Sequence, residues 1–120
     1  TLYNIHLHKI QQKMNDIQKG KNTAIVAYMT IIGAVIAIFM NQEENKTDFG
    51  SFHIRQGLGI FLSFFLLGYF VGYADSWMVS GAFYLFYFIL WIYGFLGALQ
   101  GQKKEIPLLG KFFQNLFKSL

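Results

Sequence analysis

Residues 51–74 read SFHIRQGLGIFLSFFLLGYFVGYA. Ser51, His53, Arg55 and Gln56 stand directly ahead of a stretch, 57–74, that carries no charged side chain. Two readings compete. A histidine beside an arginine is chemistry that binds a phosphate or a carboxylate. The same residues at the mouth of an apolar helix form a polar collar, with Arg55 snorkelling to headgroups and His53 and Gln56 bonding to a neighbouring helix. The second reading makes 54–74 a transmembrane span.

The rest of the chain favours the collar. Of 120 residues, 54% are hydrophobic, 19% aromatic and only 13% charged. A soluble domain carries about 25% charged residues, and a small fold cannot hide so much apolar surface. The apolar residues also cluster in three runs, 23–40, 54–74 and 76–99, and only Arg55, at the head of the second, brings a charge into them. Run three, WMVSGAFYLFYFILWIYGFLGAL to Leu99, follows run two after Asp75-Ser76, so the pair reads as a tight helical hairpin. Asp75 or Ser76 caps run three. Tyr69, Tyr73 and Trp77 suit a headgroup-level aromatic belt. Run one, TAIVAYMTIIGAVIAIFM, has the length of a span, about 27 Å as a helix against ~30 Å of hydrocarbon. No small-residue cleavage pattern follows it, so it is expected to persist in the mature protein.

The ends are amphipathic. Tyr3, Leu7, Ile10, Met14 and Ile17 alternate by four and three, placing one apolar face on a helix over 1–22 that Gly20 interrupts. In the tail, Pro107 starts a helix. Leu109, Phe112, Phe113, Leu116, Phe117 and Leu120 line one face of it, with Lys111, Gln114, Asn115 and Lys118 opposite. That face suits the bilayer surface or a partner protein equally. Lys103, Lys104, Lys111 and Lys118 are the candidate headgroup contacts. Three spans put the two ends on opposite sides. Four lysines then lie on the amino-terminal side, against six basic residues (Lys46, Arg55, Lys103, Lys104, Lys111, Lys118) on the other, which favours a cytoplasmic carboxyl terminus. Met14 is an alternative start, and with it the balance shifts to two against six.

Little else carries chemistry. His6 and His8, two apart, face different sides of a helix and lack further ligands, so no metal site is read. With no cysteine there is no thiolate site or disulfide. No catalytic residue and no cofactor are assigned. The net charge of +4 sits beside apolar runs, which points to lipid headgroups and not to nucleic acid. Small residues recur one turn apart, as in Gly68-x-x-x-Gly72, Gly59-x-x-x-Ser63 and Gly94-x-x-x-Ala98. Gly57, Gly59, Gly68, Gly72, Gly94 and Gly97 are therefore the candidate helix-packing or partner contacts.

Phe52-His53-Ile54-Arg55-Gln56, together with Ala98, Gly101, Pro107, Leu108 and Gly110, resembles a bacterial membrane-protein family of unknown function related to the import component of the chloroplast inner envelope (Tic20-like). The likeness covers about residues 19–115. It implies an all-helical integral protein of the bacterial inner membrane and brings no catalytic residues.

The expectation is an all-α integral membrane protein. It has an amphipathic helix at 1–22, a transmembrane domain at 23–99 with spans about 23–40, 54–74 and 76–99, and a loop and amphipathic helix at 100–120. Its partners are the bilayer and other membrane-protein subunits. The expected role is a non-enzymatic accessory or scaffold subunit of an inner-membrane complex. The alternatives are a protein translocation or insertion component, and a lipid- or stress-responsive membrane protein.

Overall fold

A computed structural model describes residues 1–120 as five α-helices with no strand: α1 (Leu2–Val26), α2 (Ile31–Met40), α3 (Asp48–Val71), α4 (Trp77–Leu99) and α5 (Gly110–Leu116). Two helices are long and apolar enough to cross a membrane. One covers Asp48–Ala74, including the 3-10 turn after α3, and the other is α4. Ser76 caps α4, its hydroxyl accepting from the Val79 amide at 3.3 Å, while Asp75 turns the chain in the left-handed region at φ 49°.

Run one is not a third span. Its helix ends at Val26, and α2 restarts at Ile31 for only ten residues. Thr30 is fully extended, at φ −157° and ψ 178°, and its hydroxyl caps α2 by accepting from the Gly33 amide at 3.1 Å. A break inside a membrane is tolerated only where protein satisfies the freed backbone groups. Here the Trp91 indole N–H donates to the Tyr28 carbonyl at 2.7 Å, and Ala27 and Tyr28 are fully buried. The two flanks of run one then meet again. Lys19 Nζ donates to the Glu44 carbonyl, and the Asp16 carboxylate accepts from the Asp48 and Phe49 amides at 3.0 Å each. Run one is a broken helical hairpin whose two flanks meet at the head of α3.

Two further boundaries differ from the sequence reading. Gly20 does not interrupt α1. A Cβ there would strike the Thr47 hydroxyl and lie 2.9 Å from the Gly50 nitrogen, so this glycine admits α3 to close approach. Run two begins six residues earlier than 54. The start of α3 is fixed twice, by Thr47 (hydroxyl to Gly50 amide, 2.9 Å) and by Asp16 from α1. A carboxylate there also meets the positive end of the helix dipole. In the tail, Pro107 lies in a turn with Leu108 at φ 67°, and α5 starts only at Gly110.

The core lies at one end of the α3–α4 hairpin. Every α3 residue from Phe49 to Ile60 except Arg55 is buried, and none beyond Ile60 is. Ala24 of α1, Tyr28 just after it, Phe49 and Ile60 of α3, Leu90 and Ala98 of α4, Ile106 and Phe113 pack together there. Past it the hairpin is bare, with Leu66, Phe70, Trp77 and Met78 each more than 60% exposed. On the opposite side α1 projects alone, and residues 1–15 are all exposed. The molecule is accordingly 64 Å long and 26 by 22 Å across.

Gly57 marks a close crossing onto backbone, because a Cβ there would collide with the Ala27 carbonyl oxygen. Gly57→Ala is expected to cost about 1–3 kcal/mol through overpacking. Gly81, inside α4 with nothing within 4 Å of a built Cβ, gives the opposite expectation: Gly81→Ala gains roughly 0.5–1 kcal/mol. Unfolding midpoints of both variants in one detergent check the pair.

Candidate functional site

His53 and Gln56, one helical turn apart on α3, are fully buried and face inward. Their partners come from the α1 end and from the segment after α4. The His53 Nε2 lies 2.8 Å from the Gln102 carbonyl oxygen and its Nδ1 lies 2.5 Å from the Tyr28 hydroxyl. A carbonyl only accepts, so Nε2 carries the proton and Nδ1 accepts from Tyr28. Tyr28 in turn accepts from Gln56 Nε2 at 3.0 Å. The second Nε2 hydrogen goes to the Lys104 carbonyl at 3.0 Å, and Gln56 Oε1 accepts from the Ile106 amide at 2.7 Å. Three buried side chains thus satisfy one another and three backbone groups of 102–106. The rings of Phe49, Phe52 and Tyr28 close edge-on around the imidazole, at centroid distances of 4.7, 5.0 and 5.4 Å.

A second polar cluster ties α2 to α3. The Asn41 amide donates to Ser51 Oγ at 2.8 Å and its oxygen accepts from the Thr47 amide at 3.0 Å. Arg55 is the outward member of the 53–56 group. It reaches the tail, donating to the Lys118 carbonyl at 3.0 Å and to Gln114 Oε1 at 3.4 Å, while its Nε is buried without a partner. Gln114 also donates to the Phe52 carbonyl at 2.9 Å. The tail helix therefore docks on its own α3, with Phe113 buried in the notch left by Gly59 and Phe112 and Leu116 facing out.

The other singled-out residues are placed as follows. A Cβ on Gly94 would lie 2.8 Å from the Tyr28 ring, and one on Gly97 would lie 3.3 Å from the Gln102 oxygen. Gly68 faces the Phe83 ring at 3.5 Å, and Gly72 meets nothing within 4 Å. Lys103, Lys111 and Lys118 are exposed. Lys104 is half-buried, bonds Gln100 at 3.1 Å and stands over the Tyr93 ring. His6 and His8 are exposed on the free part of α1.

Chemically this is a clasp. The imidazole has no free nitrogen, the amide has no free lone pair directed at a cavity, and no carboxylate touches either. Tyr28, a member of it, and Trp91, which holds the Tyr28 carbonyl, were read only as apolar content of runs one and three. The usable signal was Thr30, an N-cap residue type in mid-run.

These features define the class: an all-helical protein built on a hairpin of two helices long and apolar enough to cross a membrane. The chain is 30% identical over 81 residues to a UPF0132 membrane protein of Methanocaldococcus jannaschii, a match spanning 67% of this chain and 74% of that protein. The chain belongs to that family of membrane proteins. No family model and no solved structure matches it. The relative is archaeal and its name mentions no import machinery, so neither a bacterial source nor kinship with the plastid component follows from it.

Tyr28→Phe leaves His53 Nδ1 and one Gln56 N–H without a partner and is expected to cost about 1–3 kcal/mol. Gln56→Leu, which frees the Ile106 amide and the Lys104 carbonyl, should cost at least as much and speed hydrogen exchange at Ile106. The two changes share a network, so the double variant should fall short of their sum by roughly 0.5–3 kcal/mol. Additive unfolding free energies would show that the clasp does not act as a unit.

Proposed function

We propose that this protein is a non-enzymatic scaffold subunit. Its α3–α4 hairpin crosses the membrane twice, both termini lie on the cytoplasmic side, and α1 is the docking arm for a protein partner. The observation that carries the reading is the free half of α1. Residues 2–15 extend about 21 Å at 1.5 Å per residue, away from the bare end of the hairpin. Tyr3, Leu7, Ile10 and Met14 on this stretch are 71, 46, 43 and 55% exposed. Because α1 is anchored from Asp16 onward, this stripe stands off the bilayer, where lipid does not cover it.

Sidedness follows from charge. With run one re-entrant, all ten basic residues lie toward the end that holds the termini, and the 72–76 turn carries none. This favours that end as cytoplasmic far more than the four-against-six balance of a three-span arrangement. The non-enzymatic reading is supported by the internal use of every polar group in the His53 clasp. A translocation path would need polar lining along the hairpin, and the exposed half of α3 offers phenylalanine, leucine and tyrosine instead.

The chain has no cysteine, so single cysteines report topology cleanly. Glu44→Cys and Lys118→Cys should be labelled from the same side and Ser76→Cys from the other. Labelling of 44 and 118 from opposite sides would remove the re-entrant arrangement. For the arm, Ile10→Glu with Met14→Glu should release a protein that co-purifies in gentle detergent while leaving the unfolding midpoint unchanged. A wild-type chain that purifies as a bare monomer would overturn the scaffold role.

A further inference from the structure

A polar cleft of about 770 Å³ lies where α1, the head of α3 and the segment after α4 meet. Its lining includes Lys13, Asp16, Asp48 and Lys103, two charges of each sign, and Ile17 is its one hydrophobic residue. The walls are held in place. The Asp16 carboxylate accepts from the Asp48 and Phe49 amides, and the Gln102 carbonyl accepts from His53. Gly101, at φ 70°, brings the loop against α1, where a Cβ on it would lie 3.2 Å from Ile17 Cγ2. The charges are not spent on one another. Lys13, Lys103 and the Asp48 carboxylate are exposed and make no hydrogen bond or ion pair, while Asp16 is half-buried and committed to two amides.

This charge set selects its ligand. A simple anion would meet two carboxylates, and a simple cation would meet two lysines. A group carrying both signs satisfies the free lysines and the free carboxylate together. Its cation has to bring N–H donors, because Asp48 offers only acceptor oxygens. A quaternary ammonium brings none and is held instead by aromatic faces, and no aromatic residue lines the cleft. Depth names the anion. Asp48–Ala74 has 27 residues and α4 has 23, about 40 and 35 Å of helix measured from the 72–76 turn. Both exceed the ~30 Å of hydrocarbon and end within the ~40–45 Å that includes headgroups. Asp48 and the 101–103 loop therefore stand at headgroup level, where the anion is a phosphate.

We propose that this cleft binds a phosphoethanolamine group, with the phosphate paired to Lys13 and Lys103 and the primary ammonium donating to the Asp48 carboxylate. The group belongs to phosphatidylethanolamine or to the soluble phosphoester. The inference is independent of the scaffold role. Only its depth argument rests on the hairpin crossing the bilayer, which the cysteine labels test separately.

The whole chain, delipidated in a maltoside detergent, is offered palmitoyl-oleoyl phosphatidylethanolamine, phosphatidylcholine or phosphatidylglycerol at equal concentration. Native mass spectrometry reads the bound fraction, and phosphatidylethanolamine is expected to bind about tenfold more tightly than the other two. Lys13→Gln with Lys103→Gln should cut that binding roughly tenfold with the unfolding midpoint unchanged, since neither side chain has a partner to lose. Lys111→Gln, outside the cleft, should leave binding as it is. Asp48→Asn should turn the preference toward phosphatidylglycerol, a change of selectivity that a misfolded chain does not give. Soluble phosphoethanolamine in the same assay assigns the source. Binding of the lipid alone identifies a headgroup site, and binding of the soluble compound as tightly as the lipid identifies a soluble ligand. Equal retention of all three lipids with no binding of soluble phosphoethanolamine would overturn the proposal, and so would an unchanged lipid preference in Asp48→Asn.

Discussion

The side-chain amide of Gln56 holds together the packed end of this molecule, opposite the 72–76 turn. Its oxygen and both of its hydrogens are committed, to Ile106, Lys104 and Tyr28. Tyr28 then orients His53, which fastens Gln102. At low dielectric an unpartnered polar group is costly and a fully satisfied network is rigid. One glutamine therefore joins the end of α1, the head of α3 and the segment after α4. The glycines on either side of this junction are the spatial counterpart. Gly57 lets the Ala27 backbone in, and Gly94 makes room for the Tyr28 ring.

The same junction explains the break in run one. A broken helix in hydrocarbon is unstable alone, because the freed carbonyls find no water. The break at 27–30 survives because Trp91 takes one carbonyl and Thr30 caps the next helix. The return of α2 is then secured by Asn41, which bonds Ser51 and Thr47 at the head of α3. One consequence reaches the whole molecule: both termini lie at the same end, and the positive charge is gathered there.

Much of this was legible in the residues. The hairpin of runs two and three, the Ser76 cap and the tail helix all express local pattern, and local pattern survives without tertiary knowledge; the small-residue spacing did not separate Gly57, which meets Ala27, from Gly72, which meets nothing. The collar reading singled out residues 53–56 and left their partners open. Arg55 touches the tail helix, while His53 and Gln56 touch the loop before it and Tyr28. Gly20 was read as a breaker because glycine disfavours helix; in place it is a contact surface for Thr47 and Gly50. The two uses look the same in one dimension.

Composition and hydropathy by themselves determined that the chain is helical, apolar and suited to a membrane, since burial of apolar surface depends on residue type and spacing alone. They also located the hairpin, because a charged turn between two long uncharged runs has one economical solution. What only the tertiary structure decided is that run one is broken and turned back on itself. Run one has the length and apolarity of a span, and whether it crosses or turns back depends on partners far away in sequence: an indole N–H at position 91, a glycine at 57, an amide at 56. Those partners are brought together only when α1, α3 and α4 pack, so the topology is a property of their joint packing and of no single segment.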